Sequence, residues 1–396
     1  MHLVIVGNGV AGITAAQAIQ KSRPDADITV YSLEPYLYYP RPKLWDFLSG
    51  KLSLEELYFH PQEWYEERGI EVHLGVSVTE IDRRAKKVRL STGAADAYDR
   101  LLLANGGLPF VPPIENAGVE GVFTLRNIDD ALAIREYAAR ARTAVVIGGG
   151  LLGLESARGL KDLGLEVTVL EFFSWLLPKQ LDEQGSEVLA RQIEGMGIRT
   201  ITGAMSEAIE GDGHATGVRL KDGRFVPGDI VLVSAGVRPD VGLAGAAGLQ
   251  VDRGVVVNEH LQTSDPVVYA AGDVAEFAGH VYGIIPAAVE QGRAAGTNMT
   301  GGNVTYAGTV PSNTLKVVGI DLTTIGTFNA PGDEYREYRV RDIEKGIYKK
   351  LVVNQNRLAG AILLGLPKEV LRISRLVRQA EPLEEPVEAL LEMEST

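Results

Sequence analysis

A short β-branched strand that enters a glycine turn and leaves it as an alanine-rich helix occurs twice in this chain. Residues 3–6 lead into Gly7-Asn8-Gly9-Val10-Ala11-Gly12, and residues 144–147 lead into Gly148-Gly149-Gly150-Leu151-Leu152-Gly153. In a turn of this pattern the first glycine makes the tight bend and the second lets the backbone approach a pyrophosphate. The third allows the helix to pack closely on the strand. The helix start then offers free N–H groups and the positive end of its dipole to an anion. One such match is weak evidence; two, each correctly placed after a strand, specify two dinucleotide-binding βαβ units.

The second unit continues into a strand that ends at Glu171, close to the ~20 residues beyond the turn at which a carboxylate holds a ribose 2′-hydroxyl. That predicts NADH over NADPH, because a 2′-phosphate would meet like charge and the next residues, Phe172 and Phe173, supply no arginine. In the first unit the matching position is Ser32, with Glu34 two residues on, and either is a candidate for the adenosine ribose. Further along, Tyr269-Ala270-Ala271-Gly272-Asp273 reads as a strand that breaks at a glycine and presents an aspartate able to accept hydrogen bonds from a polyol chain. Ile285-Pro286-Ala287 then opens a helix whose free N–H groups suit an anionic edge.

With 396 residues the chain is too long for one hydrophobic core. The run Gly106-Gly107-Leu108-Pro109-Phe110-Val111-Pro112-Pro113 punctuates it, as does the turn Ala235-Gly236-Val237-Arg238-Pro239. Between the two units lie an acidic amphipathic helix near residues 62–68, a hairpin-like pair over 72–90 and a strand at 100–104. From about residue 310 the pattern changes to β-branched strands, including 348–353 and 358–364, followed by a helix near 368–378. The expected fold class is α/β: two nested Rossmann-like dinucleotide-binding domains plus a small α+β C-terminal domain. The first domain is discontinuous (1–110 and 236–309), the second covers 111–235, and the third covers 310–396.

The chain has no cysteine, which excludes a disulfide, a thiolate nucleophile, Cys-ligated zinc and an iron–sulfur cluster of its own. No metal site is expected. No apolar run reaches the roughly 18 residues of a membrane span, and the chain opens directly on a strand, so a cytoplasmic protein is expected. A net charge of −13 argues against nucleic-acid binding. The charge is uneven: residues 336–378 carry eleven Lys and Arg against four Asp and Glu. Lys368, Arg372 and Arg375 fall on one face of the last helix, so this basic island is a candidate docking face for an acidic partner.

Two nucleotide fingerprints, the Ala-Gly-Val-Arg-Pro turn and the Tyr-Ala-Ala-Gly-Asp segment, in this order and spacing, resemble the FAD-dependent pyridine nucleotide-disulfide oxidoreductase superfamily over nearly the whole chain. The stretch around Arg41-Pro42-Lys43-Leu44 resembles the Arg-Pro-x-Leu segment of NADH:rubredoxin and ferredoxin reductases. Residues 312–320 resemble the start of the C-terminal domain in rubredoxin reductase and nitrite reductase relatives. The resemblance implies an FAD site at Gly7, Gly9, Val10, Ala11 and Gly12, with Arg41 on the flavin nucleotide and Val78 meeting the adenine through its backbone. Ala104, Asn105 and Gly106 line it, Gly272 and Asp273 meet the ribityl chain, Pro286 and Ala287 supply backbone contacts, and Lys316 lies near the isoalloxazine. For NADH it implies Gly148, Gly150, Leu151, Leu152, Gly153, Glu171 and Gly236. Glu155 takes the position that approaches flavin N5 and the nicotinamide, so Glu155 and Lys316 are the candidate catalytic residues.

Departures from the family pattern narrow the chemistry. Phe47-Leu48-Ser49 is followed by Gly50 where oxidases and peroxidases place a catalytic cysteine, which removes disulfide, CoA-disulfide and sulfenic-acid routes. Asp46 stands where some ferredoxin reductases have a lysine that pairs with the glutamate, and Asn105 replaces the threonine of the usual Ala-Thr-Gly turn. The expected function is an FAD-dependent NADH:acceptor oxidoreductase, monomeric or homodimeric, that passes electrons to a small carrier of the rubredoxin or ferredoxin type. A cysteine-free NADH oxidase or quinone reductase, and a redox-sensing FAD/NADH-binding protein, are the competing readings.

Overall fold

The computed structural model describes residues 1–310, 312–330 and 332–392, with the side chains of 312–317 outside that description. The first segment supplies β1 (His2–Val6), α1 (Val10–Ser22), β2 (Asp27–Ser32), β3 (Ile70–Leu74) and β4 (Arg100–Leu103). The next supplies β5 (Val122–Phe123), β6 (Thr143–Ile147), α2 (Leu151–Asp162), β7 (Glu166–Leu170), α3 (Glu183–Gly195), β8 (Ile198–Ile201) and β9 (Ile230–Val233). The chain then returns with β10 (Val268–Ala270) and α4 (Ile285–Met299). It finishes with β11 (Ser312–Val317), β12 (Ile320–Gly326), β13 (Tyr335–Asp342), β14 (Ile347–Asn354), β15 (Arg357–Leu364) and α5 (Val370–Gln379).

These elements form two compact units, Met1–Phe110 with Val237–Thr309, and Val111–Gly236 with Val310–Thr396. In the first, a fully parallel sheet runs β10-β4-β1-β2-β3. In the second, another parallel sheet runs β8-β7-β6-β9-β5. In each, the strand that enters the glycine turn is central. A central parallel strand is covered on both faces, so every position must be apolar. Leu3, Val4 and Ile5 of β1 and Val145 and Val146 of β6 are accordingly fully buried. The hairpin expected over 72–90 divides: Val72 lies in β3 of the parallel sheet, and only Val78–Asp82 and Lys87–Leu90 pair antiparallel. The acidic helix is shorter than expected, at Gln62–Glu66.

Residues after 310 fold into an antiparallel sheet, β11-β12-β15-β14-β13, with α5 packed on β15 and β12. This sheet shares a unit with the second parallel sheet because α3 packs across β13, β14 and β15. Asp182 caps α3 by accepting the Gly185 N–H at 3.1 Å, and it also accepts the Tyr348 hydroxyl at 2.8 Å. Lys350 is 1% exposed, with Nζ 3.2 Å from Asp182 and 2.9 Å from Glu337. Burial works to raise the Asp182 carboxyl, but Gly185, Tyr348 and Lys350 outweigh it and hold it below the usual carboxylate range. Lys349, the next residue back, is equally buried and pairs with Glu369.

The basic island is therefore largely neutralised. Arg339 pairs with Asp182 and Glu337, Arg341 with Glu187, and Arg372 with Glu385. Counting charges along the chain overstated it, since two of these carboxylates, Asp182 and Glu187, come from α3 and its cap. Lys368, Arg375 and Arg378 still face outward, around Leu371, which is 82% exposed. Lys368 sits on the 3-10 turn Pro367–Glu369 rather than on α5 itself.

At the edge of the first unit, His2 holds Asp27 through Nδ1 at 2.7 Å and Asp96 through Nε2 at 3.0 Å, while Tyr31 donates to the same Asp96 at 2.9 Å. Burial works to lower the imidazole pKa, but Asp96 and Asp27 outweigh it and raise it above 6.5. A raised folded pKa gives stability that is complete below the unfolded value and lost as pH rises through the folded one. His2→Gln is thus expected to cost about 0.5–1 kcal/mol near pH 5.5 and less toward pH 9, read from denaturant unfolding across that range.

Candidate nucleotide sites

In the first unit, Gly7 has φ of +111°, and a Cβ there would lie 2.3 Å from the Ala104 carbonyl oxygen. A Cβ on Gly12 would lie 2.1 Å from the Gly7 oxygen. These two glycines are demanded by the protein itself. Gly9 is different: a Cβ there would meet no heavy atom within 4 Å. The second turn repeats the pattern, with Gly148 and Gly153 closed in and Gly150 open. Both helices begin at the open glycine without a side-chain cap or an acidic residue in the first turn. Their first N–H groups therefore face outward, as a diphosphate requires.

Two half-buried asparagines border the first turn. Asn8 accepts from the Tyr65 hydroxyl at 3.4 Å, and Asn105 donates to the Asp240 carbonyl at 2.8 Å. Asn8 Nδ2 and Asn105 Oδ1 are buried without a hydrogen-bond partner among the described residues. A buried polar atom left in that state calls for a ligand or water. A cradle without Cβ atoms, two outward helix N–H sets and two such amide atoms fit dinucleotides bound at these turns.

Apart from Lys316, which belongs to the second unit, the remaining residues expected around FAD lie in the same unit. Gly272 and Asp273 lie on the 3-10 turn Gly272–Val274, where a Cβ on Gly272 would be 2.9 Å from the Ala11 Cβ. The Gly272 N–H donates to Gln291 Oε1 at 2.8 Å, and Gln291 is 1% exposed. Helix α4, which carries Pro286 and Ala287 in its first turn, packs along α1. Gly292 makes this approach possible, since a Cβ there would be 2.4 Å from the Ala11 oxygen.

Arg41 Nη2 lies 2.6 Å from Glu34 Oε1, and the Tyr39 hydroxyl donates to the other oxygen of Glu34. Burial works against the Arg41 charge, but Tyr39, Glu34 and Asp273 outweigh it and raise its pKa. Ser32 Oγ donates to the Glu34 carbonyl at 3.0 Å. The two residues offered to the ribose are thus joined, and the Glu34 carboxylate is engaged in holding Arg41. Val78 opens its strand just after Val76, whose N–H donates to the Ser32 carbonyl at 2.9 Å. Gly106, beside Asn105, has φ of +75°.

In the second unit Glu171 is 5% exposed and bridges the glycine turn: Oε2 accepts from the Gly149 N–H at 2.7 Å and Oε1 from the Phe173 N–H at 2.8 Å. Its position is fixed by backbone, while Leu152, Phe172 and Phe173 stand exposed and Leu151 is half-buried. Gly236 has φ of +119° and is open around its Cβ position. Glu155 on α2 is 8% exposed and accepts the Val318 N–H on Oε1 at 3.0 Å. Val318 and Gly319 form the two-residue turn between β11 and β12, both left-handed, with φ of +55° and +88°. Left-handed backbone at a β-branched residue costs about 1–2 kcal/mol. Lys316 lies on β11, and its side chain is outside the described residues.

Sequence reasoning missed Gln291, Val318 and the Glu34–Arg41 pair. A polar residue on the inward face of α4 was a signal for Gln291. Nothing in the local sequence marked Val318.

Two parallel sheets with the same glycine turn at the same central strand define a protein that binds two dinucleotides. A family model described as pyridine nucleotide-disulphide oxidoreductase matches residues 1–292, and one described as the rubredoxin NAD+ reductase C-terminal domain matches residues 311–381. The chain belongs to the pyridine nucleotide-disulphide oxidoreductase family, and its cofactors are FAD and NADH. It is 35% identical over 386 residues to the nitrite reductase [NAD(P)H] of Bacillus subtilis, covering 97% of this chain and 48% of that protein. The chain spans about half the length of the nitrite reductases it matches. The NADH-rubredoxin oxidoreductase of Clostridium acetobutylicum is 30% identical over 92% of this chain and 90% of its own length. Its crystal structure matches with a TM-score of 0.80 at 27% identity, covering 98% of each chain. The covalent putidaredoxin reductase–putidaredoxin complex matches at 0.87 and 29%, covering 99% of this chain and 95% of that one. The family is one of NAD(P)H-dependent flavin oxidoreductases. Among the described residues no helix is long and apolar enough to cross a membrane, and no cluster of metal-ligating side chains occurs.

The open glycines give a direct test. Gly9→Ala is expected to fold, with a melting temperature of the FAD-free protein within about 2 °C of wild type, yet to lose bound FAD. Gly12→Ala is expected to destabilise the fold by about 2 kcal/mol or more. Flavin absorbance and thermal unfolding distinguish the two outcomes.

Proposed function

We propose that the chain is an NADH:acceptor oxidoreductase that delivers electrons to a small one-electron carrier protein of the rubredoxin or ferredoxin type. Bound FAD supplies a hydride acceptor that can release electrons singly. The chain's own residues supply position and field. Gly7–Gly12 and α1 hold one diphosphate, Asp273 the ribityl chain, and Arg41, steadied by Glu34, the flavin nucleotide. Gly148–Gly153 and α2 hold the NADH diphosphate. Glu171, pinned by two backbone N–H groups, keeps lone pairs for the adenosine ribose, while a 2′-phosphate would meet its charge. Glu155 faces the nicotinamide.

The observation that carries the acceptor is the absence of any thiol in the chain. Electrons leaving the flavin have no internal disulfide to reduce, so they pass to an external acceptor. The NADH-rubredoxin oxidoreductase relative and the putidaredoxin complex support a carrier protein as that acceptor. An anaerobic panel with NADH and NADPH against rubredoxin, ferredoxin, flavodoxin and quinone, repeated in air, tests the reading. Rubredoxin or ferredoxin reduction with NADH, at least about tenfold faster than with NADPH, is expected. Oxygen consumption with peroxide release that no carrier diminishes would favour an oxidase instead.

The outward patch of Lys368, Leu371, Arg375 and Arg378 suits an acidic carrier, with an apolar centre and a cationic rim. Reversing Lys368 and Arg375 to Glu is expected to slow carrier reduction about tenfold at low salt, with NADH-to-dye turnover unchanged. Equal loss of both activities would argue against docking there.

A further inference from the structure

Two unusual features meet at the tip of the β11–β12 hairpin. The first is conformational. A two-residue hairpin loop with both residues left-handed ordinarily takes Asn-Gly or Asp-Gly, yet here the residues are Val318 and Gly319. A β-branched residue in that region persists only where its surroundings over-determine it. The second feature is what surrounds it. The Val318 side chain is 2% exposed, and its N–H, which the hairpin ladder does not use, donates to the buried Glu155 carboxylate at 3.0 Å. Helix α2, which carries Glu155, packs against β11.

A glutamate side chain has three rotatable bonds, so a carboxylate that must sit at a fixed point needs an anchor. A backbone N–H donated to an ionised oxygen is both rigid and charge-assisted. Turning the chain at residue 318 does not require valine; burying that side chain while aiming the N–H at Glu155 gives the choice a purpose.

We propose that Val318 is a positioning residue of the nicotinamide site: its N–H fixes the Glu155 carboxylate, so the C-terminal domain sets where that carboxylate lies during hydride transfer. This rests on the reading that Glu155 faces the nicotinamide. Val318→Asn accepts left-handed backbone and keeps the N–H, whereas Val318→Pro forbids both. In anaerobic stopped flow, Val318→Asn should reduce flavin within about twofold of wild type and Val318→Pro about a hundredfold more slowly, with FAD content and NADH affinity held. Because Val318 acts through Glu155, adding Val318→Pro to Glu155→Ala should cause no further loss. Multiplied losses would overturn the proposal.

A second measurement leaves the hairpin sequence native. Amide hydrogen exchange over residues 318–325 should quicken about tenfold in Glu155→Ala relative to wild type. Exchange at the wild-type rate overturns the contact. Faster exchange with undiminished flavin reduction retires the positioning role while FAD and NADH binding, and so the flavoprotein reading, stand. Wild-type flavin that NADH does not bleach overturns both.

Discussion

A diphosphate can be held by bare backbone N–H groups only where no side chain intervenes, and that steric condition organises both halves of this molecule. It places a glycine turn at the end of β1 and another at the end of β6, and it forces each helix start to remain uncapped. The rest of each turn follows from packing. Gly7 and Gly12 are closed against Ala104 and one another, so the open Gly9 is the position that a bound nucleotide, rather than the fold, requires. The same division holds at Gly148, Gly150 and Gly153. Around the first turn the half-buried Asn8 and Asn105 extend the logic, because each spends one end of its amide on the protein and leaves a buried atom at the other without a partner among the described residues.

Electrostatic order is built outward from these turns in two ways. In the second unit the acidic residue is fixed by backbone: Glu171 spans the Gly149 and Phe173 N–H groups, so its carboxylate is held beside the turn. In the first unit a side-chain cluster does the work. Glu34 and Tyr39 hold Arg41 near Asp273, which places a cation and an anion in one neighbourhood without committing either to the diphosphate. Gln291 ties the Gly272–Asp273 turn to α4 through the Gly272 N–H.

What the sequence revealed was mostly what is local. Glycine turns, the strand ending at Glu171 and the strand breaking at Gly272 are set by residues within one βαβ unit, and spacing alone exposes them. What it concealed depends on partners far along the chain. Lys349 and Lys350 read as part of a basic surface, and only the folded arrangement shows both buried against Glu369, Asp182 and Glu337. The Glu34–Arg41 pair was hidden for a milder reason, since both residues had been assigned to the nucleotide before their attraction to each other was visible. Val318 gave no sign at all, because its role arises from a left-handed turn that valine ordinarily avoids.

Consecutive residues of a strand point to opposite faces, so Lys349 and Lys350 anchor the two sides of β14 at once. One ammonium is answered from within the last domain alone, the other by Glu337 of that domain together with Asp182 at the cap of α3. Recombination that moved this terminal sheet away from α3 would take from the buried Lys350 one of its two anions and leave Glu337 alone to answer it. Inheritance and protein engineering alike should therefore treat the parallel sheet of the second unit and this terminal sheet as a single exchangeable cassette.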